Sequence, residues 1–197
     1  MPFSTPRTTN NRNMKHDLEQ LVNQLYQTPS DINEHIPTLI RYGQECEHIT
    51  EMGVRGICST WAFLATAPKK LISYDLEDPS NWGGNINNVY ETAESYGLDF
   101  KFIKANVLEI EIEETDFLFL DTWHVYEQVR DELKLHSSKV RKYIGFHDIV
   151  SWGEHGETGG YRGINYAINE FLENNNEWKI KEKFLNNNGL LIIERIK

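Results

Sequence analysis

The chain has 197 residues, a formal net charge of −10 and a hydrophobic fraction of 39%. This length suits one domain with a core of several strands and helices, so we expect no second folded domain. The negative charge argues against nucleic acid or an anionic membrane surface as the main partner, because either would repel the chain at long range. Two cysteines make no disulfide framework, and the lack of a long apolar run or a secretory signal predicts a cytoplasmic protein with no membrane partner.

The N-terminal residues predict a tail followed by two helices. Residues 1–13 are polar and have almost nothing to bury, so we expect them to be disordered. From Asp17 onward apolar residues recur at helical spacing, which predicts the first helix. Asp31 followed three positions later by Glu34 fits a capping box for the second helix, although Pro37 favours a later start.

Beyond Gly43 the pattern alternates between strands and helices. Seven strands are predicted, at residues 48–52, 70–74, 100–104, 116–121, 140–146, 178–184 and 190–196. This order predicts an α/β fold, a Rossmann-like sheet of seven strands that is mostly parallel, with an antiparallel last strand and helices on both faces. We expect a single domain over residues 14–197, made of a helical lid at 14–47 and a core at 48–197.

Ligands bind such sheets beyond the carboxyl ends of the strands. At the first end, the sequence Glu-Met-Gly-Val-Arg-Gly of residues 51–56 runs into a predicted helix. This layout is typical of a nucleotide-binding turn, since glycine permits close backbone approach and the helix N-terminus offers free N–H groups. Asp75 lies 22 positions after Gly53, near the spacing of about 20 residues at which a carboxylate binds ribose hydroxyls. A cap for the next loop is the alternative role for Asp75.

Four polar residues follow the fourth and fifth predicted strands. They are Asp121, His124, His147 and Asp148. If these strands are neighbours, two carboxylates and two imidazoles meet there. Oxygen ligands suit Mg²⁺, and imidazole would also admit Mn²⁺, Fe²⁺ or Zn²⁺. Such a metal orients a substrate hydroxyl and lowers its pKa, and His124 is the candidate for the base that takes the proton. Each residue alone could be a cap or a solvated loop residue, but four at adjacent strand ends favour a functional site.

With these motifs the chain resembles the class I S-adenosylmethionine-dependent methyltransferases. It looks most like their metal-dependent sugar and small-molecule O-methyltransferase branch, which includes cephalosporin hydroxylase-like proteins. The resemblance runs from about His48 to the C-terminal hairpin. It implies a cofactor site made of Glu51, Gly53, Arg55, Gly56, Thr60, Asp75 and Asn106. It implies metal ligation by Asp121, His147 and Asp148, with His124 as the general base.

The implied reaction is methyl transfer from S-adenosylmethionine to a hydroxyl of a sugar, a glycan or another polar small molecule. A divalent metal would assist, with Mg²⁺ as the first choice and Mn²⁺ or Fe²⁺ as alternatives. The residues leave a homo-oligomer open. They also leave open two other functions, a nicotinamide-dependent Rossmann oxidoreductase and a non-catalytic or assembly protein that retains the fold.

Overall fold

The computed structural model describes residues 7–196, with side chains from Asp17 onward. The helices are α1 (Arg7–Gln27), α2 (Ile36–Gly43), α3 (Cys58–Leu64), α4 (Ile86–Tyr96), α5 (Tyr126–His136) and α6 (Ile164–Asn174). The strands are β1 (His48–Met52), β2 (Lys70–Asp75), β3 (Asp99–Lys104), β4 (Thr115–Leu120), β5 (Val140–His147), β6 (Trp178–Phe184) and β7 (Leu190–Arg195). In the part of the chain so described, no helix is long and apolar enough to cross a membrane.

The strands form one sheet in the order β3-β2-β1-β4-β5-β7-β6. The pairs from β3 to β5 are parallel, whereas β7 runs antiparallel to both β5 and β6. The prediction of a mostly parallel seven-stranded sheet with an antiparallel last strand is therefore confirmed. The strand order reverses between β1 and β4, which is where sheets of this kind bind ligands.

The central strands are buried on both faces. All residues of β4 are buried, and successive side chains of a strand point to opposite faces of the sheet. Phe117 and Phe119 pack in one core with Phe63 of α3, whereas Leu118 packs in the other with Leu133 of α5. The continuous apolar run that predicted this strand is explained by helices on both faces.

The first helix is longer than predicted. It begins at Arg7, so residues 7–13 of the expected disordered tail are helical, and residues 1–6 lie outside the described part of the chain. Extending an established helix fixes one residue for each hydrogen bond gained, so polar residues join it at little free-energy cost. The division into a lid and a core within one domain stays a prediction.

The capping box predicted for the second helix is wrong. α2 begins at Ile36, directly after His35, whose side chain makes no capping bond. Pro37 lies in the first turn, where its missing N–H is not needed and its fixed φ suits the helix. The backbone N–H of Glu34 donates instead to Asn187 Oδ1 at 2.9 Å.

The turn between β6 and β7 contacts two segments that are distant from it in sequence. His35 Nε2 lies 3.0 Å from the backbone oxygen of Asn186, and the backbone N–H of Val150 donates to the oxygen of Asn188 at 2.9 Å. The turn therefore holds the segment before α2 and the segment after β5 in one place. Both segments contribute to the cavity described next.

Candidate active site

A cavity of about 840 Å³ opens at the carboxyl ends of the parallel strands. Its wall includes one residue at or just beyond the carboxyl end of each of β1, β2, β3, β4 and β5, namely Gly53, Asp75, Asn106, Asp121 and Asp148. The segment before α2 adds Ser30, Asp31 and Ile32. Because parallel strands end at the same edge of a sheet, residues far apart in sequence line one cavity here.

The turn after β1 requires glycine at its first position. Gly53 has φ +86°, and a Cβ there would lie 1.9 Å from the backbone oxygen of Asp121. Gly56 has an ordinary φ, and the nearest atom to a Cβ there is the Trp82 oxygen at 3.8 Å. Gly53 therefore allows the turn after β1 to contact the backbone after β4. A side chain at Gly56 would cause no such clash and would lie beside the cavity.

Asp75 stabilises the strained part of this turn. Arg55 and Ile57 both have positive φ, at 43° and 63°. Asp75 Oδ2 accepts hydrogen bonds from the N–H groups of Val54 at 2.7 Å and Arg55 at 3.1 Å. Asp75 Oδ1 accepts from the N–H of Glu77 at 2.9 Å. A carboxylate has about four acceptor positions, so Asp75 keeps capacity for a ligand in the cavity, and its ribose-binding role stays a prediction.

The side chain of Arg55 connects the turn to its surroundings and does not extend freely into solvent. Its Nη1 lies 3.1 Å from Asp31 Oδ2, and its guanidinium stacks over the Trp82 ring at 5.0 Å. All three residues line the cavity. Arg55 therefore joins the glycine turn to the segment before α2 at the cavity rim.

Glu51 and Thr60 lie beneath the turn and do not line the cavity. Glu51 is fully buried and accepts hydrogen bonds from the hydroxyls of Ser59 at 2.5 Å, Thr60 at 2.8 Å and Ser73 at 2.6 Å. Burial raises the pKa of Glu51 to about 7, although the three hydroxyls oppose this rise. The direct cofactor contact predicted for these two residues is replaced by a structural role, because Glu51 faces inward and fastens α3 to the sheet.

Asn106 lines the cavity, but its side chain is occupied elsewhere. Its Oδ1 accepts from the N–H of Leu108 at 3.1 Å, and its Nδ2 donates to Glu109 Oε1 at 2.9 Å. Asn106 therefore caps the short helical turn Val107–Glu109. Only its backbone and the outer edge of its amide remain for a ligand.

The four predicted residues at the carboxyl ends of β4 and β5 come together as an acid–imidazole cluster, made of Asp121, His124, His147 and Asp148. His124 Nε2 lies 3.1 Å from Asp121 Oδ1 and 3.2 Å from Asp148 Oδ2. His147 Nδ1 lies 3.2 Å and 3.4 Å from the same two oxygens. Each carboxylate is thus placed between two imidazoles. The imidazoles more than offset burial and hold the pKa of Asp121 well below its ordinary value.

His147 is a buried cation in this cluster. Its side chain is 1% exposed, and its second ring nitrogen, Nε2, lies 3.1 Å from the backbone oxygen of Asp31. Because both ring nitrogens face acceptors, the surroundings favour the doubly protonated imidazole. Burial lowers the pKa of His147, but the carboxylates of Asp121 and Asp148 outweigh it and raise the pKa to about 11. Among the described residues, the group that could share one ion is Asp121, His124 and Asp148. Metal ligation by His147 stays a prediction, and its contacts hold the two carboxylates in place.

His124 lies between carboxylates on both sides. Glu157, in the glycine-rich loop after β5, places Oε2 3.1 Å from His124 Nδ1, while Nε2 faces the two aspartates. Burial lowers the pKa of His124, and Asp121, Asp148 and Glu157 together raise it above its ordinary value. The loop is also fastened by the backbone, since the N–H of Glu157 donates to the His124 oxygen at 3.1 Å.

Comparison with solved structures identifies the fold. A methyltransferase from Geobacter sulfurreducens matches with a TM-score of 0.57 at 12% identity, covering 100% of this chain and 91% of the other. An O-methyltransferase from Bacillus cereus in complex with SAH matches with a TM-score of 0.56 at 13% identity, covering 93% and 90%. The SAH-bound Podospora anserina methyltransferase PaMTH1 gives 0.55 at 13%, covering 99% and 98%. No protein-family model matches the sequence, and a comparison with curated proteins gives no match either.

The chain has the class I methyltransferase fold. The prediction of that fold from the residues is confirmed. At these identities the likeness concerns the fold alone. The chemistry depends on the residues that line the cavity of this chain. Gly53, Arg55, Gly56, Asp75 and Asn106 line one part of the cavity, and Asp121, His124 and Asp148 line another.

A divalent cation suits the acid–imidazole cluster by the chemistry of its donors. Asp121, His124 and Asp148 each offer one ligand atom, and these atoms lie within 4.8 Å of one another. Asp148 Oδ1 is buried and, among the described residues, has no hydrogen-bond partner. Asp148 also adopts a left-handed backbone with φ 61°, a conformation that non-glycine residues rarely adopt outside functional or tightly held sites. Two carboxylates and a nearby imidazole suit Mn²⁺ or Fe²⁺ as well as Mg²⁺.

Sequence reasoning missed three residues of this methyltransferase fold that support the cavity wall. They are Gln128 and Glu132 of α5 and Glu157 of the loop after β5. Gln128 and Glu132 are four positions apart, as side-chain pairs on one helix face are. Helical periodicity could have indicated that pair, but nothing local indicates that Glu157 reaches His124.

Proposed function

We propose that the chain is an S-adenosylmethionine-dependent O-methyltransferase that acts on a hydroxyl of a sugar, a glycan or another polar small molecule. One observation carries this proposal: the glycine turn with Asp75 lines the same cavity as Asp121, His124 and Asp148 of the acid–imidazole cluster. A donor held at the turn would therefore lie beside an acceptor held at the cluster. The SAH-bound neighbours named above support the choice of cofactor.

The chemistry is a displacement at carbon. The acceptor oxygen forms a bond to the methyl carbon, the carbon–sulfur bond breaks, and its electron pair stays on sulfur, leaving S-adenosylhomocysteine. The protein aligns the two substrates and provides for the proton that leaves the hydroxyl. A divalent cation bound by Asp121 and Asp148 would lower the pKa of that hydroxyl.

His124 is the proposed acceptor of the proton. Its Nε2 lies beside Asp121 and Asp148, where the acceptor hydroxyl would be held, and Glu157 at Nδ1 fixes the ring in that orientation. The carboxylates that raise its pKa also stabilise the imidazolium formed when it takes the proton. His147 keeps Asp121 and Asp148 in place from the buried side.

The acceptor side of the cavity suits a polyhydroxylated molecule. Trp123 lines the cavity directly before His124 and is 43% exposed. Its ring meets Tyr161 edge-to-face at 5.4 Å, and its Nε1 donates to Thr158 Oγ1 at 3.1 Å, so the ring is held in place. An ordered aromatic face beside several carboxylates provides both apolar contact and hydrogen-bond acceptors for a sugar.

The test is a transfer assay with methyl-labelled S-adenosylmethionine, Mg²⁺ or Mn²⁺, and panels of monosaccharides, nucleotide sugars and other hydroxylated metabolites. We expect one acceptor class to gain label while an equal amount of S-adenosylhomocysteine forms, and EDTA to abolish the transfer. Methyl transfer that continues in the presence of EDTA would contradict the proposed role of a divalent metal. Cofactor binding without transfer to any panel, and without any effect of Asp121→Ala, would favour a non-catalytic protein with this fold.

The pH dependence of kcat should identify the residue that accepts the proton. Only neutral His124 takes a proton, so kcat should rise with pH through the raised pKa of His124. Glu157→Gln removes one carboxylate that raises this pKa and should move the rising limb to lower pH. NMR titration of the imidazole provides the same measurement without an acceptor.

Glu154→Gln is the matched control for this change. Glu154 belongs to the same loop, but its carboxylate bonds to Tyr166 at 3.3 Å. This variant should leave the limb in place. A rate that falls with rising pH, or a limb that Glu157→Gln leaves unchanged, would contradict the role of His124.

A further inference from the structure

A buried carboxylate lies behind one wall of the cavity, away from the acid–imidazole cluster. Glu132 of α5 is 0% exposed. Its Oε1 accepts hydrogen bonds from Thr122 Oγ1 at 2.6 Å and from Gln128 Nε2 at 2.8 Å. Its Oε2 is buried and has no hydrogen-bond partner in the described part of the chain. Thr122 and Gln128 line the cavity, whereas Glu132 does not.

The hydrogen bonds of Glu132 fix the orientation of the Gln128 amide. An amide presents an oxygen acceptor on one side and an NH₂ donor on the other, and rotation by half a turn exchanges them. Because Glu132 Oε1 already accepts from Thr122, a proton on Glu132 would occupy Oε2 and not Oε1. Gln128 therefore presents Nε2 to Glu132 whether or not Glu132 is ionised. Its Oε1, which no donor reaches within residues 17–196, is left for the cavity.

Burying Glu132 for packing alone would be unfavourable. Its neighbours on α5, Val129 and Leu133, are apolar and buried, and a leucine at this position would pack there without an ionisable group. Burial raises the pKa of Glu132 to about 7, although the bonds from Thr122 and Gln128 oppose this rise. A buried carboxylate at position 132 is explained if its role is to fix the orientation of the Gln128 amide.

The cavity that Gln128 lines also includes the segment after β3, which α5 contacts. Ala105, Asn106 and Val107 line the same cavity, and His136 Nε2 at 2.8 Å from the Val107 oxygen fastens α5 to that segment. The amide of Asn106 is occupied by its own short helical turn. Gln128 is thus the side-chain amide with a free acceptor on this wall.

The free edge of Gln128 matches adenine. Adenine presents an amino group as a donor beside ring nitrogens that accept, and a fixed amide with one acceptor and one donor complements this edge. A 6-oxo purine presents an acceptor and a ring N–H at the same places. It would require the amide to turn, which Glu132 opposes.

We propose that Gln128, held by Glu132, recognises the amino edge of the cofactor's adenine and excludes a 6-oxo purine. This inference rests on the proposed function, since it takes S-adenosylmethionine as the ligand. Gln128 is the specificity-determining residue. Glu132 is a positioning residue that acts through it.

The experiment compares the Kd of S-adenosylhomocysteine with that of S-inosylhomocysteine, in which an oxo group replaces the amino group. Calorimetry on the wild-type chain should give at least a tenfold, and up to about a hundredfold, preference for the adenine compound. Gln128→Met has a similar shape but no polar atoms, and should reduce the preference to about twofold or less by weakening the adenine compound. Glu132→Gln should also reduce it, because an amide at position 132 can donate to Gln128 Oε1 and allow the turned orientation.

Asn174→Ala is the control and should keep the preference, since its amide donates to the backbone oxygen of Glu170 and Asn174 does not line this cavity. Thermal melting checks that each variant is folded. If Gln128→Met does not fold, Glu132→Gln provides the test. Equal affinity of the wild type for both ligands, or an unchanged preference in Gln128→Met, would overturn the inference alone. No binding of either ligand would overturn the proposed function and the inference with it.

Discussion

Gly53→Ala is expected to destabilise the chain by about 2–4 kcal/mol and to abolish cofactor binding. The new Cβ would lie 1.9 Å from the backbone oxygen of Asp121, and φ +86° disfavours any side chain. Neither strain can relax without moving the residues after β4, where the acid–imidazole cluster begins. Urea denaturation followed by tryptophan fluorescence measures the first effect, and calorimetry with S-adenosylhomocysteine measures the second.

Gly56→Ala is the matched control for this change. A Cβ there has the Trp82 oxygen at 3.8 Å as its nearest neighbour, so the free energy of unfolding should change by no more than about 0.5 kcal/mol. The Cβ would nevertheless stand beside the cavity and should weaken the cofactor. Equal stability losses in the two variants would contradict the distinction between a backbone contact at Gly53 and a ligand contact at Gly56.

Asp121→Asn is expected to destabilise the chain by about 3 kcal/mol at pH 6 to 7. The change keeps the shape of the side chain but removes the charge that lies 3.2 Å from the buried Nδ1 of His147. The pKa of His147 is raised to about 11 in the folded chain and is 6.5 in the unfolded one. Stability from this raised pKa is fully present below pH 6.5 and is lost as the pH rises through about 11.

The difference between wild type and Asp121→Asn should therefore shrink as the pH rises from 6.5 toward 10. Urea denaturation at several pH values measures it. Asp131→Asn is the control, because Asp131 pairs with Arg130 at the surface and an exposed ion pair contributes about 0.2–1 kcal/mol. A loss in Asp121→Asn no larger than in this control, or one that does not depend on pH, would contradict the charged state assigned to His147.

The sequence predicts the fold well because its signals are local. The first strand, at His48–Met52, and the sixth, at Trp178–Phe184, have the predicted bounds, since the residue pattern that defines each lies within a few positions. The capping box at Asp31 and Glu34 fails for the opposite reason. The helix it should begin depends on Pro37 and on the distant turn at Asn187.

The residues at the strand ends were predictable as a set, but their individual roles were not. Topology brings Asp121 and Asp148 together, and the sequence shows both strands. The direction of the Glu51 side chain depends on packing beneath the turn, and the position of the His147 ring depends on its contact with Asp31, 116 positions away in the chain. Neither has a local signature.

The most direct test of the central claim is calorimetry of the wild-type chain with S-adenosylmethionine. The cavity that joins the glycine turn to the acid–imidazole cluster predicts binding in the micromolar range. Asp75→Ala should weaken that binding at least about tenfold, because Asp75 both holds the turn and faces the cavity. No detectable binding at millimolar S-adenosylmethionine, by a wild-type chain shown to be folded, would contradict the claim.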